Sequence, residues 1–207
     1  MDHELPQQLQ SRLKQPLPGR AAYRPLEPEL SYGRHAGPPA HDARRAAVLL
    51  VLYRHEGQWH LPLTLRPTEL AKHGGQISLP GGLIERGESS GEAALRELEE
   101  ELGTRAGIEL IGRLSELYVY VTNFRVTPWV AVAAHRPTWI PNPQEVAEVL
   151  EVPLAHLVDR AQIGEFLITR QEFSFQAPYF AWQHHKIWGA TSMILAELAE
   201  VVRELEL

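Results

Sequence analysis

One segment of the chain, residues 82–103, combines glycines, glutamates and an arginine at fixed spacings. Its sequence is Gly82-Leu83-Ile84-Glu85-Arg86-Gly87-Glu88, then seven residues, then Arg96-Glu97-Leu98-Glu99-Glu100-Glu101-Leu102-Gly103. Ser89 and Glu92 have the spacing of a capping box, and Gly103 is a typical helix end. The segment therefore predicts a loop followed by a helix from about Ser90 to Leu102.

Three carboxylates share one face of this predicted helix. Glu97 lies one turn before Glu101, and Glu100 lies beside them. They stand near the helix C-terminus, where the macrodipole disfavours negative charge by roughly 0.3–1 kcal/mol per group. A hard divalent cation offsets both this cost and the mutual repulsion, because such cations prefer carboxylate oxygens.

The residues before the helix favour the same interpretation. Glu88 and Arg96 are predicted to pair and to hold the loop against the helix. Gly81 and Gly82 permit a sharp turn and a close approach to a ligand, so that a carbonyl there can coordinate metal. A run of glutamates alone is more typical of a solvated helix face, and these additional residues favour a metal site instead.

The spacing resembles the Nudix box, Gly-x5-Glu-x7-Arg-Glu-aliphatic-x-Glu-Glu-x-Gly-aliphatic, at every charged and glycine position. Only Thr104, at the last aliphatic place, departs from it. The resemblance implies an α/β (α+β) fold in which a mixed sheet lies between helices, and hydrolysis of a nucleoside diphosphate linked to another moiety. It implies Mg²⁺ or Mn²⁺ as cofactor. The implied metal ligands are Glu97, Glu100, Glu101 and the carbonyl of Gly81 or Gly82, and the implied catalytic residues are Glu97, Arg96 and Glu88.

The resemblance leaves the general base open. Glu97 serves either as a ligand or as the base, and some family members recruit a glutamate from outside the box. Glu145 and Glu148 are candidates for that role in this chain, although both are more typical of ordinary surface positions.

A second stretch, residues 63–82, resembles the additional motif of the coenzyme A pyrophosphatase branch of the family. Leu63, Thr64, Arg66, Gly75 and Pro80-Gly81-Gly82 agree with that motif, whereas Pro62, Pro67, Ala71 and Leu79 depart from it. Ala71 replaces an arginine, and the neighbouring Lys72 or His73 is the alternative cation. The implied reaction is hydrolysis of coenzyme A or acyl-coenzyme A to adenosine 3′,5′-bisphosphate and 4′-phosphopantetheine or its acyl form.

Coenzyme A carries a pyrophosphate and a 3′-phosphate, so its pocket needs cations beyond the catalytic metals. The predicted substrate-binding residues are Arg66, Lys72, His73, Arg125 and Phe124. Phe124, with Tyr118, Tyr120 and Trp182, is a candidate for stacking on adenine, although aromatic side chains in strands more often pack in the core.

Two other functions stay open. Another Nudix specificity, for ADP-ribose or a dinucleoside polyphosphate, is compatible with the imperfect upstream motif. A non-catalytic, nucleotide-binding sensor is the alternative from a different class, but such domains typically lose carboxylates of the box and this chain keeps all four.

Composition restricts the remaining classes. The chain of 207 residues has a net charge of -6 and no cysteine, which argues against a general nucleic-acid binder and excludes thiolate chemistry. No apolar run approaches the length of a membrane span, and the polar N-terminus does not resemble a secretory signal, so a cytoplasmic location is expected. The expected partner is a small-molecule substrate, with a homodimer left open.

Hydrophobic patterning divides the chain into two parts. Residues 1–42 are predicted to hold a short helix carrying Leu5, Leu9 and Leu13, followed by a Pro/Gly-rich connector without regular structure from Pro18 to Asp42. Residues 43–207 are predicted to form the Nudix domain. Its predicted strands include a hairpin from Ala46–Tyr53 and Trp59–Leu65, and a helix near Thr191–Glu204 closes the domain.

Overall fold

The computed structural model describes residues 4–29, 37–68, 74–170 and 173–205. Its helices are α1 (Leu5–Arg12), α2 (Arg20–Tyr23), α3 (Ser90–Leu102), α4 (Leu154–Val158) and α5 (Ala190–Arg203). The first strands are β1 (Arg44–His55), β2 (Gln58–Leu65), β3 (Ile77–Ser78), β4 (Gly81–Leu83), β5 (Ile108–Arg113) and β6 (Leu117–Val119). The remaining strands are β7 (Phe124–Ala133), β8 (Glu148–Pro153), β9 (Ile163–Arg170), β10 (Phe173–Trp182) and β11 (His185–Trp188).

The main sheet is mixed, as predicted. Its strand order is β3-β2-β1-β7-β5, with β8 paired to β2, β4 to β1 and β6 to β7. Strand β1 runs parallel to β7 and antiparallel to β2 and β4. Strands β9, β10 and β11 form a separate antiparallel sheet.

Two hydrophobic clusters cover the two faces of the main sheet. Because side chains alternate along a strand, Leu50 and Leu52 of β1 join one cluster, and Leu49 and Val51 join the other. Helix α3 packs on the second face, whereas α1, α4 and α5 pack on the first. The predicted sandwich of a mixed sheet between helices is therefore confirmed.

The N-terminal segment is more ordered than its composition predicts. The stretch predicted to lack regular structure contains α2 and a 3-10 turn, Arg24–Leu26, and both Tyr23 and Leu26 are buried. Pro25 stands in the first turn of that 3-10 segment, where a missing N–H breaks no helical hydrogen bond. The division of the chain at residue 43 stays a prediction.

Helix α1 uses its leucine stripe within the chain. Leu5, Leu9 and Leu13 are all buried in the cluster that α5 shares. Leu13 packs so closely on β5 that a Cβ added to Gly112 would lie 2.8 Å from it. This helix packs on its own domain, and the stripe is not a free surface for a homodimer.

Three local predictions need correction. Gly81–Leu83, predicted as a turn, forms β4 against β1. Adjacent residues of a strand point to opposite faces, so the sequence predicts that the side chains of His184 and His185 point apart. Their ring centroids instead lie 3.9 Å apart, because His184 belongs to the turn after β10 and only His185 belongs to β11. Trp188, predicted to be a core residue, is only half-buried and joins neither core cluster of the described residues.

Candidate active site

The helix that carries the carboxylates begins and ends where the sequence predicts. At its start the Ser89 hydroxyl accepts from the Glu92 N–H, and the Glu92 carboxylate accepts from the Ser89 N–H at 2.9 Å. At its end Gly103 has a left-handed backbone with φ 75°, and a Cβ there would lie 2.7 Å from the carbonyl oxygen of Ile140. The capping box and the terminal glycine therefore fix the two ends of α3, whose last two turns carry Glu97, Glu100 and Glu101.

Arg96 connects this helix to the preceding loop. Its guanidinium donates to both carboxylate oxygens of Glu88, at 2.9 and 3.2 Å, and to the carbonyl oxygen of Leu83 at 3.0 Å. The same group donates to Glu97 at 3.0 Å and to Glu100 at 3.1 Å. The predicted pair of Glu88 and Arg96 is present, and it lowers the pKa of the Glu88 carboxyl group.

Glu101 is the most buried of the three carboxylates, with 3% of its surface exposed. Its Oε2 atom has no hydrogen-bond partner within the described residues. Burial, reinforced by the nearby charges of Glu97 and Glu145, raises the pKa of Glu101 to about 8, although Arg66 and a hydrogen bond with the Gly81 backbone oppose the shift. An anionic group in this position needs a further positive partner to be stable.

Glu97 lies beside Glu101 in a partly buried position. Its pKa is raised mainly by burial and further by Glu100 and Glu145, and it is lowered by the bond from Arg96. The backbone opposite Glu97 is Gly82, where a Cβ would lie 2.4 Å from Glu97 Oε1. Only glycine leaves room for the carboxylate at this point.

Gly81 is required for a different reason. An added Cβ would lie 2.3 Å from the carbonyl oxygen of Ala47 and 2.6 Å from the Cα atom of Val48, both of them backbone atoms of β1. Gly81 and Gly82 therefore let β4 pair closely with β1 beneath the last turns of α3.

The upstream motif delivers Arg66 to the same site. Arg66 follows the last residue of β2. Its N–H donates to the carbonyl oxygen of Gln76, and its carbonyl oxygen accepts from the N–H of Gly75, each at 3.0 Å. These two bonds hold its backbone next to the residues that precede β3. Its charge acts on Glu101, and its buried Nε has no hydrogen-bond partner among the described residues. Lys72 and His73 lie outside the described residues.

The loop that carries Glu145, a candidate general base, is bound to the end of α3 through residues that the sequence analysis did not name. The N–H groups of Ile140 and Asn142 donate to the carbonyl oxygens of Leu102 and Glu101, each at 2.9 Å. Asn142 also closes a turn that carries Glu145. Glu145 thus lies close enough to raise the pKa of both Glu97 and Glu101.

The other predicted substrate-binding residues have their own partners. Arg125, on β7, pairs with Glu116 at 2.8 Å, and the guanidinium of Arg44 lies 4.3 Å from the ring centroid of Phe124. Both residues lie at the end of β7 that pairs with the start of β1. Their role in substrate binding stays a prediction.

The carboxylates suit a divalent cation without being gathered around one. Across residues 4–29, 37–68, 74–170 and 173–205, no three histidine, aspartate or glutamate side chains are arranged for metal binding. Glu97 and Glu100 instead bond to Arg96, because carboxylates repel one another unless a cation lies between them. The unpartnered oxygen of Glu101 and the space that Gly82 leaves for Glu97 nevertheless fit a hard cation.

No helix in the described part of the chain is long and apolar enough to cross a membrane.

The NUDIX domain family model matches residues 43–182 of this chain. A relative called uncharacterized Nudix hydrolase NudL, from Pectobacterium atrosepticum, is 35% identical over 164 residues, which cover 78% of this chain and 84% of the relative. A protein of the same name from Salmonella newport is 36% identical over 158 residues, covering 75% of this chain and 81% of the relative.

Solved structures resemble the fold at lower identity. A Nudix hydrolase from M. smegmatis, RenU, superposes with a TM-score of 0.52 at 20% identity, covering 80% of this chain and 89% of RenU. A C. elegans Ap4A hydrolase in a binary complex superposes with a TM-score of 0.54 at 14% identity, covering 78% of this chain and 98% of the hydrolase. These structures support the fold alone.

Proposed function

The chain belongs to the Nudix hydrolase family, and from this premise we propose that its substrate is coenzyme A or an acyl-coenzyme A. Family membership supports the general activity, which is hydrolysis of a nucleotide derivative by a pyrophosphohydrolase. In the proposed reaction, water attacks one phosphorus of the pyrophosphate, and the bond to the bridging oxygen breaks. The products are adenosine 3′,5′-bisphosphate and 4′-phosphopantetheine or its acyl form.

The observation that supports this substrate is the position of Arg66. This arginine belongs to the upstream stretch that resembles the coenzyme A pyrophosphatase motif, yet its charge acts directly on Glu101 of the Nudix box. The buried Nε of Arg66 has no hydrogen-bond partner among the described residues, and a phosphate bound in this site would satisfy that donor. The two motifs therefore meet at one site, as a substrate with several phosphates requires.

The proposed metal ligands are Glu97, Glu100, Glu101 and a carbonyl oxygen of Gly81 or Gly82. When bound, Mg²⁺ or Mn²⁺ supplies charge neutralisation for the phosphates and lowers the pKa of water. Arg96 orients Glu97 and Glu100 from behind, because it is itself fixed by Glu88 and the Leu83 carbonyl. Arg66 would hold a phosphate in place.

Glu145 is the proposed general base that takes the proton of the attacking water. Its loop is tethered to the last turn of α3, and its charge acts on Glu97 and Glu101. Glu97 is the alternative base, because it occupies the same site. Glu145→Gln should lower kcat by about 10²–10⁴-fold. If Glu148→Gln loses kcat to a similar degree and Glu145→Gln keeps the kcat of wild type, the general base is Glu148 instead.

The substrate is tested with purified protein, Mg²⁺ or Mn²⁺, and a panel resolved by chromatography. The panel holds coenzyme A, acetyl-coenzyme A, ADP-ribose, dinucleoside polyphosphates and nucleoside triphosphates. Metal-dependent release of adenosine 3′,5′-bisphosphate, with slower cleavage of the other compounds, is the expected result. Preferential cleavage of another compound would overturn the coenzyme A assignment and leave the family activity intact.

A variant of the site separates an enzyme from a nucleotide-binding sensor. Glu101→Gln keeps the size of the side chain but removes a proposed metal ligand, so kcat/KM should fall by at least about a hundredfold. Circular dichroism should show an unchanged fold. A wild-type protein that binds nucleotides but cleaves none of the panel would instead be a sensor.

A further inference from the structure

One face of the three-stranded sheet contributes no residue to either core cluster of the described residues, although Phe175 and Ala177 on that face are buried. Phe180 and Ile187 point from this sheet into the main core cluster. Phe166, Tyr179 and Trp188 lie on the opposite face. Tyr179 pairs directly with Trp188 of β11, and Phe166 of β9 pairs with Ala177. Ala177 lies two positions before Tyr179 on β10, so both point to the same face. All three rings are half-buried, and none belongs to a core cluster of the described residues.

The three rings form an ordered group. The ring of Phe166 meets Tyr179 edge to face at 5.4 Å and Trp188 edge to face at 5.9 Å, measured between centroids. Gly164 on β9 makes room for Tyr179, since a Cβ at Gly164 would lie 3.0 Å from the Cζ and hydroxyl oxygen of the tyrosine. This packing holds aromatic surface in place on the outside of the sheet.

A positive charge stands on the same face. The ammonium group of the exposed Lys186 lies 4.6 Å from the ring centroid of Phe166 and 5.4 Å from that of Tyr179. Lys186 forms no ion pair with any carboxylate of the described residues. We call Phe166, Tyr179, Trp188 and Lys186 the aromatic patch.

The patch lies next to the strand that leads into the active site. Trp188 ends β11, and three residues later the Thr191 hydroxyl donates to the carbonyl oxygen of Ile77 on β3 at 3.1 Å. Ile77 precedes Gly81 by four residues, a span of at most about 14 Å of extended chain. The chain path through β11, β3 and β4 thus connects the patch to the carboxylates, and the proposal below requires the substrate to span the two.

We propose that the aromatic patch binds the adenosine 3′-phosphate end of the substrate, an inference that rests on the proposed function. The base stacks on the exposed aromatic surface, since any purine offers a face for such stacking. Lys186 binds the 3′-phosphate as a mobile point charge. An acyl chain would contact the rings but would offer Lys186 no anion, so the patch fits the nucleotide end better than the acyl end.

The test compares ligands that differ by the 3′-phosphate. Adenosine 3′,5′-bisphosphate and AMP are titrated into metal-free protein while tryptophan fluorescence is followed, and KM is measured for coenzyme A and dephospho-coenzyme A. Lys186→Met should weaken binding of the bisphosphate and raise KM for coenzyme A by about tenfold to a hundredfold. Values for AMP and dephospho-coenzyme A should stay within about twofold of wild type. Trp188→Leu should weaken all four ligands and remove most of the fluorescence change.

Lys14→Met is the matched control, because Lys14 is exposed beyond the end of α1 and the substitution is the same. An equal effect of Lys186→Met on both members of each ligand pair, or no effect on either, overturns the proposal. The two proposals fail separately. If wild-type protein leaves coenzyme A intact, the proposed substrate is wrong, and the titration with the bisphosphate still tests the aromatic patch. If Lys186→Met cleaves coenzyme A with the KM of wild type, the proposal for the aromatic patch alone is wrong.

Discussion

Arg66 and Glu101 interact electrostatically within one site, yet each keeps a buried atom without a hydrogen-bond partner among the described residues: Nε of Arg66 and Oε2 of Glu101. Arg66 lowers the pKa of Glu101 but does not overcome the effect of burial. Neither group is thus fully satisfied, and a bound ligand with cationic and anionic parts, such as a metal phosphate, would satisfy both atoms.

The stability of the metal-free protein should fall with rising pH because of Glu101. The pKa of Glu101 is about 8 in the folded protein and about 4.3 in the unfolded chain. The protonated carboxyl group therefore contributes its full share of the free energy of unfolding below pH 4.3, and this share is lost as the pH rises towards 8. Over that window the loss is at most about 1.4 kcal/mol per pH unit. Thermal melts in a chelating buffer should therefore show wild type losing stability relative to Glu101→Gln between pH 5 and pH 8. Glu109→Gln, at an exposed position of β5, serves as control, and parallel curves for all three proteins would contradict the prediction.

Substitutions of the two adjacent glycines should affect different properties, activity at Gly82 and stability at Gly81. Gly82→Ala pushes only the flexible carboxylate of Glu97, so stability should change by less than about 1 kcal/mol while kcat/KM falls by about a hundredfold. Gly81→Ala pushes the backbone of β1 and should destabilise the fold by about 1–3 kcal/mol. Urea denaturation and steady-state kinetics measure both effects. Equal destabilisation by the two variants would show that Gly82 is needed for folding instead.

Arg96→Lys should weaken metal binding. Lysine cannot keep the two bonds to Glu88 and also reach Glu97, Glu100 and the Leu83 carbonyl. The affinity for Mn²⁺, measured by titration calorimetry, should fall by about 10–100-fold. Arg105→Lys changes an exposed pair with Glu99 and should leave the affinity unaltered. An unchanged affinity in Arg96→Lys would mean that Arg96 does not orient the carboxylates.

Glu197 should matter for stability but not for catalysis. This buried carboxylate on α5 accepts the N–H groups of Gly19 and Ser115, at 2.9 and 3.1 Å, and thereby joins the N-terminal segment to the domain. Glu197→Gln should cost about 1.5–3 kcal/mol in the free energy of unfolding and leave kcat/KM within about twofold of wild type. Glu204→Gln breaks an exposed pair with Arg12 and should cost less than about 1 kcal/mol. If Glu197→Gln lowered kcat/KM without changing the free energy of unfolding, the prediction that Glu197 matters for stability alone would be wrong.

Local chemistry explains which elements were predictable. The bounds of α3 followed from Ser89, Glu92 and Gly103 because caps act within a few residues of the chain. Strand β4 and the helix α2 were missed because neither has a local signal. Gly81 and Gly82 are extended by pairing with β1, and Tyr23 is helical where it packs into the core.

The sequence by itself determined the carboxylate helix, its pairing of Arg96 with Glu88 and the family of the chain, because each depends on residues within one loop and one helix. Only the tertiary structure placed Arg66 where its charge acts on Glu101, placed Glu145 where its charge acts on the same carboxylates and set Lys186 over the ring of Phe166. These contacts join residues far apart in the chain, and their geometry depends on how strands pair and on which face of each strand meets the core.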